Sequence, residues 1–173
     1  MSCAIAAPET ETCPGCGRAF PPSGGPVHDY IGASAACWSR YGELLALEYA
    51  SPELMRWHRF TVDAYAAQHP GVPGRRSAQS VHVHLAALHL SIERGMDAAD
   101  VRKAIAAMAD GREFAWLKPP DLRTETGVDA AIVAAGTACY GETVRLWAEQ
   151  VWQAWSPHHA AVRAEAQAAL TSH

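Results

Sequence analysis

The sequence has no uninterrupted apolar run near the roughly 20 residues that a membrane-spanning helix needs, so no membrane partner is expected. It has no basic tail, and the adjacent arginines Arg75-Arg76 are isolated. With a net charge of -4 and a pI near 6.1, a broad grip on nucleic-acid phosphates is not expected. Residues 1–12 contain no basic region and no hydrophobic segment, and they carry Glu9 and Glu11. They do not read as a secretion signal, and the cytoplasm is the expected compartment. There is no HExxH, no GxSxG and no P-loop, so no recognised catalytic string is present. No internal repeat stands out, and a strand is expected only as a short hairpin near the N-terminus, including Val27 to Tyr30.

What is present is a chain of 173 residues, long enough for one core plus a small metal-stapled lobe. Residues 1–12 read as a disordered leader and 13–37 as a zinc-binding lobe. From residue 34 to 173 the pattern is that of a helical bundle packed with the lobe as one domain. The lobe is rich in Gly and Pro, which opposes long helices. Helices are expected over 34–49, 51–69, 77–95, 97–111, 128–155 with a break near Gly136, and 156–170. Ser51-Pro52-Glu53 is a helix start, with a serine cap, proline in the first turn and an acid at the positive end. Asp97 is a cap, while Pro70-Gly71, Gly95 and Gly111 are stops. The fold class is all-α, an irregular helical bundle with a small zinc-bound lobe.

Five cysteines are present, an odd number. Cys13-Pro14-Gly15-Cys16-Gly17 turns two sulfurs toward one metal, and Gly17 supplies a left-handed turn. Cys37 falls in the first turn of the first helix, where the helix N-terminus favours a thiolate. His28 lies between Cys16 and Cys37 and is the expected fourth ligand of a closed, structural Cys3His zinc site. A water or Cys3 is the alternative fourth ligand. A redox CxxC pair is the competing account, and it lacks a βαβ context. Cys139 reads as a small core residue.

The histidines are the second feature. Leu54, Trp57, His58, Thr61, Val62, Tyr65 and His69 recur at spacings of three and four, forming one stripe. Val81, His84, Leu85, Leu88 and Ile92 form another, while His82 and His89 fall on a different face and are expected to meet solvent. Each lone inward histidine is explained by a hydrogen bond to a carbonyl or a tyrosine. Collectively, His69, His84 and His158 or His159, with Asp63 or Gln68 as a polar partner, form a candidate acid–base pocket or second metal site. The helix start at His158-His159 would hold an anionic group. Trp147, Val151, Trp152 and Trp155 read as core, with an aromatic wall for a flat ligand as the alternative. Phe114, Trp116 and Leu117 form either a lid or a cover for the bundle end.

Several strings occur in a specific order: Cys-Pro-Gly-Cys-Gly, then His-Asp-Tyr-Ile-Gly-Ala-Ser, Thr-Val-Asp-Ala-Tyr-Ala-Ala-Gln-His-Pro-Gly (61–71), Val-His-Leu (83–85) and Trp-Ser-Pro-His-His (155–159). The combination covers nearly the whole chain and resembles an uncharacterised bacterial family of small soluble proteins, a domain of unknown function. The resemblance implies a fold and boundaries but no reaction. The expected function is a zinc-binding helical protein with a His-lined internal pocket that binds a small molecule, with an acid–base or metal-dependent step. The alternative is a non-enzymatic adaptor that docks a macromolecule through its zinc lobe. The apolar stripes do not distinguish an internal core from a dimer seam.

Overall fold

The computed structural model describes residues 9–171. Most of the expected leader, and Cys3 with it, lies outside that range. Residues 11–12 of the leader form a strand. The short hairpin pairs β1 (Glu11–Thr12) antiparallel with β2 (Ala19–Phe20), so it brackets the Cys-Pro-Gly-Cys turn instead of including Val27 to Tyr30. The reason is local: the Cys13 N–H donates to the Arg18 carbonyl at 2.8 Å and the Gly17 N–H to the Cys13 carbonyl at 2.9 Å, which closes the turn.

Eight α-helices follow. They are α1 (Ala35–Ala50), α2 (Pro52–Met55), α3 (His58–Gln68), α4 (Arg75–Ile92), α5 (Ala98–Ala109), α6 (Val128–Ala134), α7 (Tyr140–Ala154) and α8 (His159–Thr171). The caps are those the sequence signals. Ser34 accepts from the Cys37 N–H, Ser51 from the Leu54 N–H, and Asp97 from the N–H groups of Ala99 and Asp100. The single helix expected over 51–69 is interrupted at Arg56-Trp57, where the Trp57 ring packs against Gly141 of α7. No helix among the described residues is long and apolar enough to cross a membrane.

Helix α3 packs on α4 and α7, α4 on α5 and α8, and α1 on α6. The apolar stripes meet inside the chain: Val81, Leu85 and Leu88 are buried together with Trp147, Val151, Trp152 and Trp155. The tryptophans are therefore core and not a ligand wall, and each indole N–H is satisfied. Trp147 donates to Gln68 Oε1, Trp155 to the Ala67 carbonyl and Trp152 to Glu93 Oε1, all at 3.0 Å. Phe114, Trp116 and Leu117 are half-buried against the core and cover one end of the bundle.

Three sequence expectations fail here. Cys139 is exposed, just ahead of α7. His82 and His89 are buried, not solvent-facing. The partners of His82 come from α8 and a loop, which sequence periodicity does not reveal, while that of His89 lies four residues on. His82 sits between Glu165 Oε2 at 2.6 Å and the Ala115 carbonyl at 2.9 Å. Both its nitrogens face acceptors. His89 reaches Glu93 Oε2 at 2.8 Å.

Glu93 is the clasp between the end of α4 and α8, receiving Arg163 and Trp152 as well as His89. The Arg163 guanidinium beside it is the main reason its carboxyl pKa falls from 4.5 to about 2. A depressed folded value means the clasp stabilises fully above the unfolded value and loses its contribution as pH falls through the folded one. Glu93→Gln should lower Tm near neutral pH, and the gap to wild type should close between pH 4.5 and about 2, as thermal melts across that range would show.

Candidate metal centre and the polar grooves

The Cys-Pro-Gly-Cys turn delivers Cys13 and Cys16, and the serine-capped first turn of α1 delivers Cys37. The fourth donor is not His28. It is His69, at the C-terminal cap of α3, where the helix ends before Pro70-Gly71. The three sulfurs and one imidazole nitrogen lie within 4.8 Å of one another, all buried. Cys16 Sγ and Cys37 Sγ are 3.9 Å apart, and Cys37 Sγ lies 3.4 Å from His69 Nε2. A tetrahedral zinc with Zn–S bonds of about 2.3 Å places its sulfurs about 3.8 Å apart, so the spacing suits a metal of that kind. No other group of three or more His, Cys, Asp or Glu among the described residues has metal-ligand spacing.

Surrounding groups orient this donor set. His69 Nδ1 is 2.7 Å from the Tyr65 carbonyl, which can only accept, so Nδ1 carries the proton and Nε2 presents its lone pair to the sulfurs. The Tyr65 hydroxyl donates to Cys37 Sγ at 3.5 Å, and its ring stacks on His69 and Tyr41. The Gly32 N–H donates to the His69 carbonyl at 3.0 Å, joining the lobe to the end of α3. Arg18 donates to the carbonyls of Thr124 and Glu125. Two glycines are required by this geometry. Gly17 has a φ of +70°, and a Cβ on Gly15 would collide with the His69 ring.

The electrostatics describe a site short of positive charge. Hydrogen bonds from Cys16 and Cys37 pull the Cys13 thiol far below its ordinary value, while Cys13 and Cys16, together with burial, push Cys37 far above its own. Burial lowers the pKa of His69, but hydrogen bonding and charge from Cys13 and Cys16 outweigh it, and the result is pushed up to about 9. Three buried thiols cannot all ionise together without a cation among them. A bound dication supplies that charge and ionises the coordinating thiols.

His28 lies elsewhere. Its ring packs on Tyr30 and Trp38, and its Nδ1 accepts from the Tyr30 N–H at 3.4 Å. Linear order suggested it because it falls between Cys16 and Cys37. The signal for His69 was its position at a helix end followed by Pro-Gly, where the chain turns back toward the lobe.

The expected His-lined internal pocket is not assembled. His69 belongs to the metal centre. His158 Nε2 meets the Lys118 carbonyl at 2.9 Å, and His159 stacks on Trp152 with its Nε2 2.8 Å from the Trp152 carbonyl. These two are the carbonyl-bonded structural histidines of the simpler account. The structure does join His84 to Asp63. Asp63 is 1% exposed, and its Oδ1 lies 2.7 Å from His84 Nδ1. The same carboxylate receives Arg59 Nε and Nη2, each at 2.6 Å. His84 lines an open groove of about 510 Å³ with Tyr30, Arg76, Gln79, Ser80 and Val83. Ser80, one turn earlier on α4, has a buried hydroxyl without a hydrogen-bond partner.

A second buried carboxylate escaped the sequence analysis. Glu48, near the end of α1, is 0% exposed. It accepts from the Tyr140 hydroxyl at 2.6 Å and the Thr61 hydroxyl at 2.8 Å, and it lies 2.6 Å from His58 Nδ1. Its position in an apolar helix resembles an ordinary surface glutamate, and only the approach of α3 and α7 supplies its partners.

No curated protein and no solved structure matches the chain. A family model described as a family of unknown function (DUF5946) matches residues 11–156, a span that takes in the hairpin, all four metal-site donors, His84 and the buried tryptophans, and the chain belongs to that family.

Proposed function

We propose that this is a zinc-stapled helical protein whose groove beside His84 binds a small molecule and serves it with an acid–base group. Zinc is the metal favoured by three thiolates and one imidazole in a closed tetrahedral arrangement, and its role is structural because the four protein donors leave no open position. The bound metal supplies charge neutralisation and ties the N-terminal turn to α1 and to the end of α3. A reducing, cytoplasmic setting suits the three ligand thiols.

The observation that carries the groove reading is the 2.7 Å contact between His84 Nδ1 and the buried Asp63 carboxylate. It fixes the imidazole tautomer and leaves Nε2 as the nitrogen without a protein partner. A histidine held in this way is the usual form of a general base or acid. The unpartnered Ser80 hydroxyl in the same wall is a polar group that a ligand would satisfy. The volume falls in the range of small-molecule sites. The adaptor reading has less support, since Arg18 turns inward onto Thr124 and Glu125 and His28 packs on Tyr30 and Trp38.

The test is a fragment screen by ¹H–¹⁵N NMR on the zinc-loaded protein. Fragments with a hydrogen-bonding head group should shift Gln79, Ser80 and Val83. His84→Ala should weaken them by about tenfold, the loss of one hydrogen bond to an oriented group, while keeping its metal and melting within a few degrees of wild type. Fragments that map elsewhere, or that bind His84→Ala equally well, would remove the groove reading.

A further inference from the structure

A second groove lies on a different part of the bundle, where α2 and the start of α3 face the N-terminal end of α5. It has a volume of about 380 Å³ and is lined by Met55, Arg56, His58, Arg59, Val62, Ala98 and Arg102. Three guanidinium groups and an imidazole thus converge in a chain whose net charge is -4. We infer that this groove is a binding site for an oxyanion of the phosphate class.

The state of each basic group supports this. Arg59 is held by the buried Asp63 through Nε and Nη2, so its fork is fixed and three of its five donors remain free. His58 is held through Nδ1 by the buried Glu48, which leaves Nε2 without a hydrogen-bond partner among the described residues. The Arg56 guanidinium lies 5.4 Å from the Trp57 ring centroid, a contact that positions the group and leaves its N–H donors free. No carboxylate of the described residues lies within ion-pair distance of Arg56 or Arg102.

Two of the nearby acids are committed elsewhere, and Glu53, one turn before Arg56, is exposed and outside ion-pair distance of it. Asp97 caps α5 through Ala99 and Asp100, and Asp100 pairs with Lys103 at 2.9 Å. The two buried carboxylates therefore act as struts behind His58 and Arg59. Arg56 and Arg102 contribute charge without a counterion. An oxyanion with several acceptor oxygens matches two rigid groups and two free guanidiniums, because charge-assisted hydrogen bonds to a phosphate are both short and strong. The groove has room for more than the phosphate itself, and Met55, Val62 and Ala98 offer apolar surface for an organic remainder.

The test uses the zinc-loaded full chain and isothermal titration at about 0.15 M ionic strength, where the Debye length is about 8 Å, with inorganic phosphate and phenyl phosphate as probes. Wild type should bind at least one probe saturably. Arg56→Ala/Arg102→Ala should weaken that binding by tenfold or more. Arg112→Ala/Lys118→Ala removes the same charge from another surface and should leave the affinity within about twofold, since a screened long-range field adds little at this range. All four side chains are exposed, so both variants should melt with the wild type. Tighter binding of phenyl phosphate would identify a phosphate monoester as the ligand class, and equal binding would identify free phosphate. Absence of saturable binding to wild type, or an equal loss in the two double variants, would overturn the inference.

Discussion

His69→Ala should purify with little or no zinc, whereas His28→Ala should retain one zinc per chain. Along the sequence His28 is the expected ligand, but only His69 places a ring nitrogen among the three sulfurs. Removing one of four ligands should weaken metal binding by at least about a hundredfold, the scale set by loss of even an outer partner at such sites. The stability that the metal confers follows from mass action, and a zinc concentration about a thousandfold above Kd contributes about 4 kcal/mol. His69→Ala should therefore lose stability of that order, and it should no longer respond to added chelator. Elemental analysis of natively purified protein and melts with and without chelator provide both readings. Zinc retained in His69→Ala and lost in His28→Ala would reverse the ligand assignment.

Glu48→Ala should be the most damaging single change away from the metal. The carboxylate is fully buried, and three side chains from two other helices depend on it. Its removal leaves the Tyr140 and Thr61 hydroxyls and the His58 ring without their acceptor, and it opens a void between α1, α3 and α7. Breaking a buried charged network in this way costs about 3–5 kcal/mol. For a chain of this size that corresponds to a fall in Tm of about 10 °C. Glu48→Gln keeps an acceptor for Tyr140 and should cost about 1–2 kcal/mol, close to one hydrogen bond with a charged group. Urea unfolding of both variants would check the order. If Glu48→Ala cost less than Glu48→Gln, the carboxylate would be a burden and not the hub of these contacts.

Both predictions rest on contacts that connect distant parts of the chain, and this marks the boundary of what the sequence revealed. The helices were legible because their signals are local. Ser34, Ser51 and Asp97 cap helices where they stand, and Gly95 and Gly111 take positive φ where helices end. The break near Gly136 separates α6 from α7 as periodicity suggested. The interruption at Arg56-Trp57 was not legible, because no glycine or proline marks it in the sequence.

The polar groups follow the same division. His84 was singled out from a stripe and Asp63 as a polar partner, and they do meet. His158 and His159 were singled out with them and instead bond to carbonyls. An apolar stripe locates a histidine against the core but does not say which group waits there. His82, His89 and Glu48 are the converse, placed outside the stripes or passed over as ordinary, yet buried with polar partners: Glu165 on α8 for His82, Tyr140 and Thr61 on other helices for Glu48, and Glu93 at the end of its own helix for His89.

By itself, then, the sequence determined the all-α class, the main helix boundaries, the three cysteines of the metal centre and the tight turn that presents two of them. Each of these depends on residues within about one or two turns of one another, where steric and capping preferences act directly. Only the tertiary structure decided the fourth ligand, the separation of the histidines into a metal centre, an Asp63-held groove and structural positions, and the gathering of Arg56, Arg59 and Arg102 around His58. Those outcomes depend on how helices pack. Burial forces each polar group to find a partner, and that partner lies wherever packing brings one within hydrogen-bond reach.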